Sequence, residues 1–537
     1  MEEPSLLDYL KSRLRFWKRD GFIPFPSEQE IKSTLAETKE KIGIPEQSPG
    51  EEILPTEVKL SSEAEPLSRK MAFPWRSLLA LLLMLLAQRT FEPSPSRNAI
   101  PGIVLYLIGL VWLVLAALKD EWVPAEPQPA VDVTQGNPPQ ERTHTRIRIL
   151  PLALTAIFSL AAFLAFTNNR FTLWNVLLWV LALVCFLWTF WLPKPTRNHT
   201  SRKIGSFLKH GSWTILLDRS TILLLVVIGL VIFFRVTEIN AVPSQPISDH
   251  AEKILDVYDV TQGGTSIFFP RNTGREALQI YLTAGVAWLL GIGLSFLSLK
   301  IGTVLCGLLT LPYMYLLGKE LGGKRLALLA LLFAGIAYWP NVISRIGLRF
   351  PLYPLFVAPT LYYLLRGLKT RSRNDFIMSG IFLGLGLHGY SPIRILPIVV
   401  VVAVGLFLLH AQSQGVRRRT IYDMVMLVVA SVILFLPLLR YWVENPQTFG
   451  YRAFSRLGSI ETALPAPAVS VFFSNLWNGL KMFNWDDGGI WVHSVTHRPA
   501  LDIVSGAFFM AGITLLLVRY IRKRNWVDLF LLVSIPL

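Results

Sequence analysis

Residues 277–320 read ALQIYLTAGVAWLLGIGLSFLSLKIGTVLCGLLTLPYMYLLGKE, and how this stretch meets a membrane sets the side on which everything after it lies. The run around 300–320 is apolar enough to span, and 277–297 looks like a span as well. If both crossed, Lys319, Lys324 and Arg325 would face outward. So would Arg366, Lys369, Arg371 and Arg373, the triplet Arg417–Arg419, and Arg519, Arg522, Lys523 and Arg524. If 277–297 instead lies in the interface or re-enters, all four clusters return to the cytoplasmic side, as the bias of Lys and Arg toward cytoplasmic loops requires. The charges therefore predict an outer juxtamembrane helix at 277–297.

Further spans are expected at 75–90, 100–118, 149–167, 173–192, 220–236, 300–319, 325–342, 350–367, 375–390, 393–410, 420–441 and 502–520. A last one opens near Trp526 and is cut off at Leu537, so the native chain is expected to continue. The fold class is an all-α polytopic membrane protein of about 12–13 transmembrane helices with two polar outer loops, 237–275 and 442–500.

Composition agrees. The chain has 537 residues, 52% hydrophobic and 16% charged, against about a quarter charged in soluble proteins. With 16 Trp and 32 Phe, this excludes an ordinary cytosolic enzyme, a disordered tail and a collagen-like fibre. The net charge of +16 follows from membrane orientation and calls for no nucleic acid. Cys185 and Cys306 lie in apolar stretches and give neither a disulfide framework nor metal-site spacing.

Three regions follow. Residues 1–73 form a polar cytoplasmic segment without a signal peptide. Within it Leu6, Leu7, Leu10, Leu14 and Trp17 share a helical face among Lys11, Arg13, Arg15, Lys18 and Arg19, which suits an anionic membrane surface or a solvated helix equally. Residues 74–219 carry four extra spans joined by basic loops, and 220–537 hold the outer loops. An N-terminus in the cytoplasm puts both outer loops on the outer face of the membrane.

Those loops hold the candidate chemistry. In Ser248-Asp249-His250-Ala251-Glu252 the two acids share a helical face. Such a pair serves as a general base or divalent-cation ligands, or is simply a solvated acidic loop. Arg271 and Arg275 flank Asn272-Thr273-Gly274, a phosphate grip or a helix start. Arg345 and Arg349 sit on an outward turn, against the positive-inside bias, and suit an anionic lipid head or pyrophosphate, or simply anchor to ordinary lipid phosphates. Tyr390, Arg394 and His388 form a second outward turn, His388 reading as structural or metal-binding. Arg452 closes Asn445-Pro446-Gln447-Thr448-Phe449-Gly450-Tyr451-Arg452. Asp486, Asp487 and His493, among aromatics, suit sugar hydroxyls, or a plain turn. Span interiors hold almost no ionisable groups, which fits interfacial chemistry better than a conduction path.

The order of these motifs resembles the bacterial GT-C glycosyltransferases related to protein O-mannosyltransferases and the aminoarabinose transferases of lipid A. It runs from Asp-x-x-Glu through Asn-Thr-Gly-Arg-Glu, Gly-Lys-Glu-Leu-Gly-Gly-Lys-Arg, Ser-Arg-Ile-Gly-Leu-Arg and Gly-Leu-His-Gly-Tyr-Ser-Pro-Ile-Arg to Asn-Pro-Gln-Thr-Phe-Gly-Tyr-Arg, covering residues 220 to the end. The resemblance implies an inverting transferase of the plasma (inner) membrane that moves a hexose or pentose from a polyprenyl-phosphate donor to a protein, glycan or lipid acceptor at the outer face. Asp249 matches the acid of the first outer loop, and the sequence departs from the usual acidic pair by reading Asp-His-Ala-Glu. Arg271, Arg275, Arg345, Arg349 and Arg452 would neutralise the departing phosphate, and Asp249 with Glu252 would hold any divalent cation. A lipid-linked-sugar flippase, or an oligosaccharide polymerase or ligase using a pyrophosphate donor, shares the membrane bulk.

Overall fold

The computed structural model describes residues 73–93, 98–119, 121, 148–193, 218–457, 465–492 and 494–535. The amphipathic helix expected near the N-terminus and most of the two long basic loops lie outside these residues. The described chain is helical apart from one strand pair.

The first four helices, α1 (Trp75–Arg89), α2 (Ala99–Leu118), α3 (Ile149–Ala165) and α4 (Leu173–Phe190), form two hairpins. They are followed by α5 (Arg219–Val236) and α6 (Ser248–Thr261), the strands β1 (Phe268–Phe269) and β2 (Arg275–Glu276), and α7 (Leu278–Leu290). Next come α8 (Phe296–Ile336), α9 (Tyr338–Arg345), α10 (Leu352–Thr370) and α11 (Arg373–Gly386). After a 3₁₀ turn at Ser391–Ile395 the chain continues through α12 (Leu396–Leu409), α13 (Arg417–Glu444), α14 (Pro446–Leu457), α15 (Ala468–Asn484), α16 (Ile503–Lys523) and α17 (Trp526–Val533). Every expected span coincides with a helix or with one leg of a broken helix. Seven helical segments among the described residues are long and apolar enough to cross a bilayer, and the protein is an integral membrane protein.

The opening stretch resolves into two elements. Helix α7 has 13 residues, a length of about 20 Å at 1.5 Å per residue, short of the roughly 30 Å hydrocarbon core. Helix α8 has 41 residues but breaks at Gly322 and Gly323, where Gly323 takes φ 77°. Its two legs run side by side: Gly318 packs on Ala327 and Ala330, and Arg235 reaches both Gly307 and the carbonyl of Gly335. Contacts then link the four basic clusters at one end of the bundle. Lys369 pairs with Glu320, Arg373 and Arg419 face Asp423, Arg419 donates to the Arg371 carbonyl, and Gln412 donates to that of Arg524.

The span expected at 325–342 ends early, at Ile336. Ala337 is extended (φ −57°, ψ 146°), and α9 leaves in a new direction. The carbonyls freed by this break have a partner in Arg235, buried at the end of α5. It donates to Ala334, Gly335 and Pro340 and to the Ser344 hydroxyl. Helix ends leave carbonyls unsatisfied, and in lipid no water can serve them.

Helix packing follows membrane rules, in which small residues let backbones approach. A Cβ at Gly380 would lie 2.2 Å from the Leu427 carbonyl oxygen, and one at Gly384 would lie 2.8 Å from that of Ser431, so α11 sits directly on α13. The α1–α2 hairpin packs on α16 and the α3–α4 hairpin on α13. Asn484 joins Gln88, Tyr106 and the Gly506 carbonyl in one buried polar cluster on the first of these seams. At the end opposite the basic clusters, the loop that follows α5 meets the turns after α3, α9 and α11, and Arg498 of the second polar loop pairs with Glu92 after α1.

Candidate functional site

Helix α6 opens the site. The His250 ring sits under its first turn, where Nδ1 accepts from the Ile247 N–H and Nε2 donates to the Ile346 carbonyl at 2.6 Å. Both nitrogens are thereby used by a neutral ring, and burial holds its pKa below the ordinary value. This fixes α6 against the loop carrying Arg349. Asp249 and Lys253, one turn apart on α6, turn to the other side, where they line a cavity of about 50 Å³ with Arg275, Leu348, Arg349, Phe350 and Tyr390. That volume holds a few water molecules, and its lining brings together four of the residues expected from the sequence: Asp249, Arg275, Arg349 and Tyr390.

Each charge in the cavity is held from behind. Asn272 Nδ2 donates to Asp249 Oδ1 at 2.6 Å. Arg275 donates to Asp256 at 3.3 Å, and Arg271, at the rim, bridges Asp256 and Asp259. Arg349 pairs with Glu276 at 2.9 Å and lies over the Tyr390 ring, its guanidinium carbon 5.3 Å from the centroid. Glu276 also binds Arg394 at 3.2 Å and accepts from the Ser391 hydroxyl at 3.0 Å. Burial raises the Asp256 carboxyl against the pull of Arg275 and Arg271. Burial likewise lowers Arg275, with Asp256 opposing. Taking both ions out of water offsets much of their attraction in such pairs, and what the pair visibly does here is hold Arg275 in place at the cavity.

Lys253 is the residue the sequence reading passed over. It is 4% exposed and its ammonium donates to the Asp249 carbonyl at 3.0 Å. Burial first and Arg275 second push its pKa down to about 7, with Arg349 adding to the effect and Asp249 and Asp256 opposing it. Four residues C-terminal to Asp249, it shares that residue's face of the helix, so the same spacing argument that paired Asp249 with Glu252 reaches it. Glu276 was visible only as a charge beside Arg275.

The turn joining the strands is strained. Asn272, Thr273 and Gly274 all have positive φ (47°, 63° and 83°), a conformation that is a genuine outlier for a β-branched residue. Gly274 is needed twice over, because a Cβ there would also lie 2.5 Å from the Phe268 ring. Strain of this kind gathers at functional sites.

Other expected residues are placed elsewhere. Glu252 is half-buried on α6 and does not line the cavity. Arg345 donates to the carbonyls of Phe234, Thr237 and Val242, closing the end of α5. His388 is buried against the Leu434 carbonyl at 2.8 Å. Arg394 stands behind Glu276 and over Phe449. Asp486 accepts from the Gly488 N–H and faces His497, and Asp487 follows it in the same turn; neither lines the cavity. His493 and the Arg452 side chain lie outside the described residues. A larger cavity of about 300 Å³ lies on the His250 side of α6, between Val242, Pro243, Phe296 and Trp491.

The donor set does not suit a divalent cation. Among the described residues no three His, Cys, Asp or Glu side chains gather as ligands, and Asp249 shares its cavity with three basic groups. The cavity instead sets two guanidiniums, an ammonium and a tyrosine ring around one carboxylate.

The chain is similar to the GT-C membrane glycosyltransferases. Residues 278–442 match the family model described as dolichyl-phosphate-mannose-protein mannosyltransferase. That segment runs from α7 to the end of α13 and includes Arg349, Tyr390 and Arg394. Among solved structures, the Archaeoglobus fulgidus oligosaccharyltransferase tethered to an acceptor peptide aligns at 15% identity and a TM-score of 0.40, over 61% of this chain and 46% of that one. Its apo form aligns at 17% and 0.39, over 61% and 47%. The chain thus spans about half the length of these structures. No curated protein matches it.

Proposed function

We propose that this protein is an inverting glycosyltransferase that moves a sugar from a polyprenyl-phosphate donor to an acceptor hydroxyl at the outer face of a plasma membrane. The N-terminus lies in the cytoplasm, and the acceptor is a protein, glycan or lipid. The observation that carries this reading is the cavity itself, where Asp249 stands among Lys253, Arg275, Arg349 and Tyr390 at the end of the bundle away from the basic clusters. A lipid phosphate arrives already held at the membrane, so no soluble nucleotide is required. The two arginines and Lys253 take the phosphate oxygens, and their attraction grows as the leaving group gains charge. The bond from the acceptor oxygen to the anomeric carbon forms as the carbon–oxygen bond to phosphate breaks. The leaving phosphate keeps the electron pair, and Asp249 takes the hydroxyl proton. A carboxylate is a weak base for a hydroxyl, so proton transfer is concerted with bond formation.

The direct test uses full-length protein in lipid nanodiscs with a panel of polyprenyl-phosphate hexoses and pentoses and cell-envelope acceptors. Release of polyprenyl phosphate, followed by mass spectrometry, is expected with at least one donor. Turnover confined to pyrophosphate-linked donors would replace the reading with a polymerase or ligase, and movement of lipid-linked sugar without bond cleavage would replace it with a flippase.

Lys253 adds a pH signature. A glycosyl phosphodiester keeps one negative charge near neutral pH, so the change across this range comes from the lysine. With its pKa near 7 in the empty site and raised by a bound anion, donor affinity should fall by up to about tenfold per pH unit above 7. Folding stability should move the other way. The unfolded lysine holds its proton up to about 10.5, so the unfolded state binds more protons between pH 7 and 10.5 and stability rises with pH there. Donor titrations by intrinsic fluorescence at pH 6.5, 7.5 and 8.5, compared with Lys253→Met, check this. A flat wild-type profile would remove Lys253 from the phosphate site.

A further inference from the structure

We propose that the α3–α4 hairpin, which lies before the segment matched by the family model, is a positioning element for the cavity loop, and that Asn169 is its key residue. The proposal rests on the reading of the cavity as a donor-phosphate site.

The turn between α3 and α4 docks edge-on to the segment entering β1, like a short extra strand. The Phe171 N–H donates to the Thr265 carbonyl at 2.7 Å, the Ile267 N–H donates to the Asn169 carbonyl at 3.2 Å, and Arg170 bridges Ser266 in antiparallel fashion. The Asn169 side-chain amide then continues the ladder. Its Oδ1 accepts from the Phe268 N–H at 2.8 Å and its Nδ2 donates to the Phe268 carbonyl at 2.7 Å. One side-chain amide thus pairs with both backbone groups of one residue.

That residue leads straight to the cavity. Phe268 pairs with Glu276 and Phe269 with Arg275 across β1–β2, so the clamped position is in register with the Arg349 counter-ion and next to a cavity arginine. The Phe268 ring stacks on Tyr441 at 4.8 Å and joins Phe166, from the end of α3, in one buried cluster.

The turn is built for this. Asn168 and Asn169 both hold left-handed backbone (φ 58° and 54°), a conformation Asn tolerates better than most residues. Asn175 ties the turn back to α3 and to its own start by donating to the carbonyls of Ala165 and Arg170. A turn needed only to connect two helices has no use for two strained residues and a backbone-mimicking amide.

The test separates clamp from turn. Asn169→Gly keeps the left-handed backbone and deletes the clamp, Asn169→Asp keeps only the acceptor, and Asn168→Gly relaxes the turn with the clamp intact. Two readouts are taken in nanodiscs: amide hydrogen exchange of residues 265–276, and kcat and KM for the donor. In Asn169→Gly, exchange at Ile267 and Phe268 is expected to rise at least about tenfold. The loss in kcat/KM should be ~10²-fold, the cost of a misplaced reacting group, with Asn169→Asp intermediate and Asn168→Gly like wild type. Wild-type exchange in Asn169→Gly, or raised exchange with wild-type kcat and KM, overturns the proposal. If Asn169→Gly does not fold, Asn169→Asp against Asn168→Gly decides by the same readouts. If wild type consumes no donor, the donor-phosphate reading has failed, and with it the catalytic half of this one. The exchange arm still decides whether the hairpin holds the loop.

Discussion

Replacing Asp249 by Asn should lower kcat by about 10³-fold while leaving donor binding intact. A positioned acid or base contributes roughly 10²–10⁴-fold, and in the proposed reaction the same carboxylate accepts the acceptor's proton as the new bond forms. Asn keeps the shape and can still meet Asn272, whose amide lies 2.6 Å from Asp249 Oδ1, so the cavity wall should persist. Removing the negative charge beside Arg275 and Arg349 should, if anything, tighten the hold on an anionic donor. The check is single-turnover release of polyprenyl phosphate alongside donor affinity. Turnover within a few-fold of wild type would take Asp249 out of the mechanism, and lost binding would make it a structural residue.

Glu276→Ala should be the most destabilising change in the site, by about 3–5 kcal/mol, because it leaves a buried partner charge uncompensated. Glu276 is fully buried and meets Arg349 and Arg394 together, so both lose their counter-ion at once. Glu276→Gln keeps an acceptor for Ser391 and the guanidiniums and should cost about 1–3 kcal/mol. Thermal unfolding of the two variants in one detergent gives the ordering. Equal midpoints for Glu276→Ala and wild type would mean that the cluster is open to water and that the cavity is not held as described.

The helices were legible because lipid leaves few answers for a long apolar run, and the segment 277–297, where the structure has a helix of only 13 residues, stood out because four basic clusters depended on it. The site was legible where a residue's type was odd for its place. Arg349 on a turn away from the basic end and Asp249 at the head of a polar helix both stand out by composition. Residues whose work depends on what lies opposite them did not stand out. Lys253 reads as one more charge in Glu252-Lys253 until its burial is seen, and Arg345 reads like Arg349 although three backbone carbonyls occupy it. Asn169 carries no signal, since its partner Phe268 is 99 residues away. The break at Ala337 was hidden for the same reason, because the arginine that satisfies it comes from α5.

The pair Gly322–Gly323 has a consequence in parity. A chain returns to the side it left only after an even number of crossings. Between Asp249 and Arg349 the longest element is α8, and its fold-back at the two glycines brings the chain back to the end it left. Unbroken, 41 residues would form a rod of about 60 Å, and the count would be odd. Arg349 would then emerge at the far end of that rod from Asp249, and Tyr390, which the α10–α11 hairpin returns to the end where α10 begins, would stay with it. Two residues without side chains, far from the cavity, decide whether its two halves can ever meet.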